Sequence, residues 1–123
     1  MVVDTSAILA VFFDEPHAAW AVEQFSAHSG ELRMRTVNLA EALIRIRDRQ
    51  PALADELEER LLTGGIRFIP PDAAQARTAA RARLSFPLNL GDCFAYALAV
   101  AERCPILTLD GGFRSVDRPV VMP

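Results

Sequence analysis

Lysine is absent from this 123-residue chain, and all thirteen basic residues are arginine. A receiver-type phosphotransfer domain needs a lysine in its acidic pocket, so that class fits the chain poorly. Arginine makes planar, bidentate contacts with phosphate, which suits a polyanionic partner. A compositional bias of the genome explains the missing lysine equally well. The arginines alone therefore do not show whether the partner is a polyanion.

Cysteine is scarce, and long apolar runs are missing. The two cysteines, Cys93 and Cys104, lack CxxC spacing and are expected to be reduced thiols, because a zinc site needs more ligands. No apolar run approaches the roughly 20 residues that span a bilayer. The N-terminus lacks the basic and then apolar pattern of a signal sequence. We therefore expect a cytoplasmic protein without a membrane partner.

The chain shows no repeat, low-complexity tract or long linker, and half of its residues are hydrophobic (51%). These features predict one globular domain covering residues 1–123. The net charge is -3, which at first argues against a nucleic-acid partner. Metal bound to a few carboxylates would reverse that sign, so the overall balance is uninformative.

Short apolar segments alternate with amphipathic ones, a pattern typical of an α/β fold with a central, mostly parallel sheet. The pattern predicts four to five strands flanked by helices. Strands are expected at Val2–Asp4, Glu31–Thr36, Ile66–Ile69, Ile106–Leu109 and Val120–Met122. Helices are expected at 6–13, 16–28, 38–49, 51–63, 73–84 and 90–103, the fifth of them opened by a capping box of Asp72 and Gln75.

Four acidic residues occupy related places in this pattern. Asp4 and Asp110 each close a predicted strand, whereas Glu41 and Asp92 lie near the starts of predicted helices. The carboxyl ends of parallel strands and the starts of the following helices line one crevice. Four carboxylates there would repel one another unless a cation holds them. The pattern therefore indicates a divalent metal site, whose usual use is phosphate chemistry.

Each acid also has a purely structural alternative. Asp4 is a preferred residue for capping a helix, and Asp110 before two glycines is typical of a turn. Asp92 stands three residues after Asn89, at the N3 position of a possible capping box.

Glu41 has two structural alternatives of its own. It stands three residues after Asn38, which is again capping-box spacing, and it could pair with Arg45 one turn later. A cap explains one acid at a time, whereas the metal hypothesis explains all four together.

In their order along the chain, the segments VVDTSAIL, NLAEAL, LNLGDCFAYALA and ILTLDGGF resemble a PIN-domain ribonuclease, and most closely the VapC type of bacterial toxin. The resemblance covers essentially the whole chain and implies a compact α/β three-layer sandwich. By match, the acidic metal-binding residues fall on Asp4, Glu41, Asp92 and Asp110. The small hydroxyl residues of the family fall on Thr5 and Ser6, with Ser6 the preferred contact.

The resemblance also implies an activity and partners: a metal-dependent endoribonuclease that uses Mg²⁺ or Mn²⁺, forms a homodimer and is silenced by a small antitoxin. Asp117 is a candidate fifth acid. The alternatives are a non-catalytic module that binds RNA or protein, and a stand-alone RNA-processing nuclease. A haloacid-dehalogenase-type phosphatase fits poorly, because the position of its second aspartate holds Ser6.

Other side chains are weaker candidates. Tyr96, one turn beyond Asp92, could stack on a base, bond a carboxylate or pack in the core. Arginine pairs on two helices could bind RNA phosphates or simply face solvent: Arg45 with Arg49, and Arg77 with Arg81. His17 and His28 follow a surface pattern, and Trp20 fits either the core or an interface.

Overall fold

The computed structural model describes all residues from Met1 to Pro123. Five short strands alternate with six helices. The strands are β1 (Val2–Val3), β2 (Arg33–Arg35), β3 (Arg67–Ile69), β4 (Ile106–Leu107) and β5 (Val120–Val121). The helices are α1 (Thr5–Phe12), α2 (Ala18–Ala27), α3 (Thr36–Arg49), α4 (Ala54–Thr63), α5 (Ala73–Ser85) and α6 (Leu90–Glu102), with a 3-10 helix at Gly111–Ser115.

The strands form one sheet in the order β3-β2-β1-β4-β5, and every neighbouring pair is parallel. The central strand β1 pairs through Val2 with Arg33 and with Ile106. A parallel sheet places the carboxyl ends of all its strands at the same edge, so the loops after β1 and β4 lie next to each other. The predicted α/β architecture is confirmed.

The sheet divides the core into two apolar clusters. Val3, Met34 and Leu107 pack with residues of α1, α3 and α4 on one side. Val2 and Ile106 pack with residues of α5 and α6 on the other. This division follows from the alternation of side chains along a strand, which sends Val2 and Val3 to opposite faces. Helices therefore cover both faces and form the three layers.

Arg35 ends β2 entirely buried. Its Nε donates to the Phe94 carbonyl of α6 at 3.2 Å, and its Nη1 donates to the Pro70 carbonyl at 3.1 Å. Burial lowers the pKa of this guanidinium. Because the partners are backbone carbonyls from two other segments, this side chain fixes the end of β2 and the start of α3 against α6.

Several element boundaries differ from the prediction. β1 ends at Val3, so Asp4 follows its strand instead of closing it, and β4 ends at Leu107, two residues earlier than the predicted Leu109. The predicted turn at Asp110 is the cap of the 3-10 helix, and α2 begins at Ala18, two residues beyond Pro16. The capping box that opens α5 is present as predicted.

No single helix is long and apolar enough to cross a membrane; only α5 and α6 taken together, with a bend of 117° between them, reach the required length and apolarity.

Candidate metal centre

One cavity of about 340 Å³ is lined by all four acids that the sequence pattern singled out. They arrive from four separate stretches: Asp4 from the end of β1, Glu41 from α3, Asp92 from α6 and Asp110 from the loop after β4. Thr5 and Ser6 line the same cavity. The parallel sheet thus brings together residues that are up to 106 positions apart in the chain.

Asp4 is held by a dense hydrogen-bond network. It is buried and caps α1, as its structural alternative predicted. Its Oδ2 accepts hydrogen bonds from Ser6 Oγ at 2.7 Å and from Thr108 Oγ1 at 2.9 Å. Ser6 Oγ also accepts from the Leu109 backbone N–H at 2.9 Å, which ties α1 to the end of β4. Capping therefore does not exclude a site role, because only one carboxylate oxygen is used.

The other oxygen of Asp4, Oδ1, is buried and has no hydrogen-bond partner. A buried polar atom without a partner is costly and unusual in a native protein. Burial raises the pKa of Asp4, while the hydrogen bonds from Ser6 and Thr108 oppose that shift. The network orients this carboxylate and leaves one of its oxygens without a partner in the protein.

Asp92 also combines two roles. Its backbone N–H donates to Asn89 Oδ1 at 2.9 Å, and its Oδ2 accepts from the Asn89 backbone N–H at 3.2 Å, so the capping box of α6 is real. Burial, together with the nearby charges of Asp4, Asp110 and Glu41, raises the pKa of Asp92 to about 7. Like charges that perturb one another in this way are typical of a site that receives a cation.

The structural alternatives for Glu41 are both wrong. Helix α3 begins at Thr36, with Arg35 as its cap, so Glu41 is the sixth helical residue and lies outside any capping box. Asn38 does not cap the helix; its Nδ2 donates to the Gly91 carbonyl of α6 at 3.0 Å. Arg45 lines the cavity, but no ion pair joins it to Glu41. Glu41 therefore has no local helical task and faces the shared cavity half-buried.

Asp110 is positioned by the backbone that follows β4. Its backbone N–H donates to Thr108 Oγ1, and its Oδ1 accepts from the Gly112 backbone N–H at 2.8 Å. Thr108 thus bonds both Asp4 and Asp110, which links the two strand ends. The sequence pattern did not single out Thr108, since a threonine inside an apolar strand carries no distinctive signal.

Glu15 is a further acid that sequence reasoning missed. It lines the same cavity and lies 3.6 Å from Arg49, with half of its side chain exposed. The preceding Asp14 has a positive φ of 50°, and this turn brings Glu15 back toward α1. Five acids and one arginine, Arg45, therefore line the cavity.

Two predicted site residues lie elsewhere. Tyr96 and Asp117 are absent from the cavity lining, and Tyr96 Oη donates to Asp117 Oδ1 at 2.7 Å. Burial and this carboxylate raise the pKa of Tyr96 to about 12. The ring packs on Phe86, with centroids 5.4 Å apart. The two side chains therefore form a hydrogen-bonded pair that joins α6 to the C-terminal segment, outside the acidic cavity.

The remaining candidates also lie outside the cavity lining. Arg77 and Arg81 are exposed on α5, and Arg49 lies over the Phe13 ring at 4.1 Å. His17 is exposed, and Trp20 is half-buried against the core. His28 lies 3.8 Å from Glu31 at the end of α2.

The donor set fits a hard divalent cation. The cavity offers carboxylate oxygens, one of them buried without a partner, and no thiol or imidazole. No group of three or more acidic, histidine or cysteine side chains is arranged to hold a metal ion by itself. Mg²⁺ does not need three protein ligands, because it keeps several waters and binds proteins through one or two carboxylates. The arrangement therefore matches an open, partly hydrated Mg²⁺ or Mn²⁺ site better than a structural metal site.

Comparison with known proteins agrees with this geometry. The PIN domain family matches residues 1–119. This chain belongs to the PIN-domain family. Among curated relatives, Ribonuclease VapC of Mycolicibacterium smegmatis is 35% identical over 126 residues, covering 95% of this chain and 96% of that protein. Ribonuclease VapC28 of Mycobacterium tuberculosis is 32% identical over 133 residues, covering 96% and 99%. The resemblance seen in the sequence is confirmed.

Solved structures share the fold of this PIN domain. Mycobacterium tuberculosis VapC20, described as a Sarcin-Ricin loop cleaving toxin, superposes with a TM-score of 0.84 at 16% identity, covering 99% of this chain and 98% of that one. VapBC2 from Rickettsia felis, bound to a DNA fragment from its promoter, gives a TM-score of 0.81 at 12% identity, covering 98% and 96%. At these identities the likeness establishes the fold alone.

Proposed function

We propose that this PIN-domain protein is a metal-dependent endoribonuclease that hydrolyses RNA phosphodiester bonds, and that it is the toxin half of a toxin–antitoxin pair. One observation carries the enzymatic part: four acids from four separate stretches line one cavity, and the buried Oδ1 of Asp4 has no partner there. A non-catalytic binding module has no need for this arrangement, which costs stability through burial and repulsion.

Asp4 and Asp92 would hold Mg²⁺ or Mn²⁺ directly, and Glu41 and Asp110 would contribute more weakly or orient water. A cation held there supplies Lewis-acid activation of water and neutralises the developing charge. The hydrogen bonds from Ser6 and Thr108 keep the carboxylate of Asp4 in one orientation before RNA arrives. Such preorganisation is the main contribution that side chains make to phosphoryl-transfer chemistry.

Arg45 is the basic side chain that lines the cavity. It is exposed on α3, and we propose that it contacts a phosphate of the bound RNA. Ser6 and Thr5 would help to position the RNA backbone. Water attacks phosphorus and the 3′ oxygen leaves, so the products carry a 5′ phosphate and a 3′ hydroxyl.

The toxin assignment rests on relatives. The curated relatives are named VapC ribonucleases, and the solved structures of this fold include a toxin–antitoxin complex from Klebsiella pneumoniae. We therefore propose that a small antitoxin silences this protein in the cytoplasm and that the protein forms a homodimer. Purification with and without the neighbouring reading frame tests the antitoxin, because only a complex should elute larger and inactive.

The enzymatic proposal is tested with purified protein and a labelled RNA. Cleavage should require Mn²⁺ or Mg²⁺, stop with EDTA and fall by at least about 100-fold in Asp4→Asn or Asp92→Asn. Asp55→Asn is the matched control, because it removes one charge from an exposed carboxylate on α4, outside the cavity. RNA binding without metal-dependent cleavage would refute the nuclease and favour the binding module.

A further inference from the structure

Gly91 lies at the closest approach between two helices that carry site acids. It is the second residue of α6, directly before Asp92. A Cβ built on Gly91 would lie 2.8 Å from Glu41 Oε2, 3.2 Å from Oε1 and 3.3 Å from Cδ, and these are its three nearest atoms. The space that a side chain would occupy at position 91 is therefore filled by the carboxylate of Glu41.

Nothing in the backbone explains a glycine here. The residues with positive φ are Asp14, Gly30, Gly65 and Arg103, so Gly91 does not have the conformation that favours glycine. Glycine is also less favourable than alanine in a helix by about 0.5–1 kcal/mol. The contact with Glu41 is the one feature of the structure that accounts for the missing side chain.

The two helices cannot easily move apart to admit a side chain. Asn38 Nδ2 donates to the carbonyl of Gly91 itself at 3.0 Å, and the Asn38 carbonyl accepts from Thr5 Oγ1 at 3.2 Å. Arg35 Nε donates to the Phe94 carbonyl one turn later. Asn38 and Arg35 are both fully buried. The spacing between α3 and α6 is thus fixed by the hydrogen bonds that Asn38 and Arg35 make to the backbone of α6.

We propose that Gly91 is a positioning residue: its missing side chain lets the carboxylate of Glu41 lie against α6, beside Asp92. This inference rests on the proposed function, because it assigns Gly91 a part in assembling the acidic site. We expect an alanine side chain at position 91 to affect the acidic site by displacing Glu41, not by separating the two helices. Glu41 is half-buried and lines the cavity. Because its side chain is flexible, its carboxylate should move before the helices do.

The size of the displacement sets the expected effect. To restore ordinary contact, Glu41 Oε2 must move from 2.8 Å to at least 3.4 Å from the new Cβ. Productive sites tolerate errors of about 0.5 Å. Loss of orienting contacts around a metal ligand typically weakens metal affinity about 10- to 100-fold. Because Glu41 is one of several acids, we expect Gly91→Ala to weaken Mn²⁺ binding about tenfold.

Four variants of the full chain test the inference: Gly91→Ala, Glu41→Ala, the double variant, and Leu90→Ala as the control in the same helical turn, where the side chain is exposed. Titration calorimetry with Mn²⁺ should show about tenfold weaker binding for Gly91→Ala and no change for Leu90→Ala. In the Glu41→Ala background, Gly91→Ala should change Mn²⁺ affinity no further, because the group it displaces is already gone.

Thermal unfolding in EDTA gives a second readout without metal. Once Glu41 is removed, Gly91→Ala should raise the melting temperature by roughly 2–4 °C, through the higher helix propensity of alanine. In the presence of Glu41 the gain should be smaller or reversed, because the carboxylate is crowded. This coupling between the two positions also shows whether Gly91→Ala still folds.

The outcomes separate the two proposals. If the wild type binds Mn²⁺ and cleaves RNA but Gly91→Ala matches it, the positioning role is wrong and the nuclease stands. Equal effects of Gly91→Ala with and without Glu41 would also overturn the positioning role. If the wild type neither binds Mn²⁺ nor cleaves RNA, the proposed function fails and this inference fails with it.

Discussion

Removing the charge of Asp92 should stabilise the metal-free protein while abolishing cleavage. Burial and the neighbouring acids raise the pKa of Asp92 from 3.8 to about 7. Above about pH 7 the native state therefore contains a charged carboxylate whose burial lowers the stability of the metal-free protein. In Asp92→Asn the side-chain oxygen can still accept the hydrogen bond from the Asn89 backbone, so the capping box survives. The expected net effect on metal-free stability is a gain.

The magnitude follows from linkage. A shift of about three pKa units corresponds to at most about 4 kcal/mol. The carboxylate borders an open, polar cavity, so water and salt reduce the net gain to about 1–2 kcal/mol. The charged Asp92 destabilises the native state fully only above its raised pKa of about 7. Above that pH the native state must release a proton that it binds more tightly than the unfolded chain does. This destabilisation diminishes as the pH falls from about 7 toward 3.8, since the native state takes up its proton before the unfolded chain does.

Denaturant unfolding in EDTA at pH 8 and pH 5 measures this effect. Asp92→Asn should be more stable than the wild type at pH 8, and the difference should be smaller at pH 5. Mn²⁺ added in place of EDTA should stabilise the wild type by mass action and should stabilise the variant less. A variant less stable than the wild type at pH 8, or a difference independent of pH, would refute the electrostatic reasoning.

Three smaller changes test other parts of the site. Ser6→Ala removes the 2.7 Å hydrogen bond to Asp4 and should weaken Mn²⁺ binding about tenfold in calorimetry; unchanged affinity would show that Asp4 needs no such support. Asn38→Ala breaks the buried bond to α6 and should cost about 1–3 kcal/mol in denaturant unfolding, whereas a neutral result would argue against a fixed helix spacing. Tyr96→Phe frees Asp117 and should leave RNA cleavage within about twofold while costing about 1 kcal/mol; a large loss of cleavage would return this pair to the active site.

The strand-end acids were readable from the sequence because their positions depend on local pattern and sheet topology. An apolar run followed by Asp4, and another followed by Asp110, indicate strand ends, and parallel strands place such ends together. Asp92 was recognised through its place at the start of α6. For Asp4 and Asp92 the two interpretations do not exclude each other, since each side chain caps a helix and also lines the acidic cavity.

The spacing of Asn38 and Glu41 was misleading because two different structures produce it. Three-residue spacing predicts a local capping box, yet Asn38 bonds to Gly91, 53 residues away. The helix instead begins two residues earlier, where the buried Arg35 ends β2. A polar side chain that bonds across the fold leaves the same sequence signal as one that bonds its own helix.

Glu15 was beyond the sequence for a related reason, and so was the identity of the carboxylate that Tyr96 bonds. Glu15 reaches the cavity through a turn with positive φ at Asp14, which is uncommon for a residue other than glycine. Tyr96 follows Asp92 by one turn, but its hydroxyl meets a carboxylate contributed by the C-terminal segment. Both outcomes depend on how the connecting loops are folded rather than on periodicity.

The most direct measurement is a Mn²⁺ binding isotherm of the wild type beside Asp4→Asn and Asp92→Asn. The account predicts saturable binding by the wild type, abolished by EDTA and weakened at least about tenfold in each variant, while Asp55→Asn binds as the wild type does. Equal Mn²⁺ affinity in all four proteins would contradict the claim that the acids of this cavity share a cation.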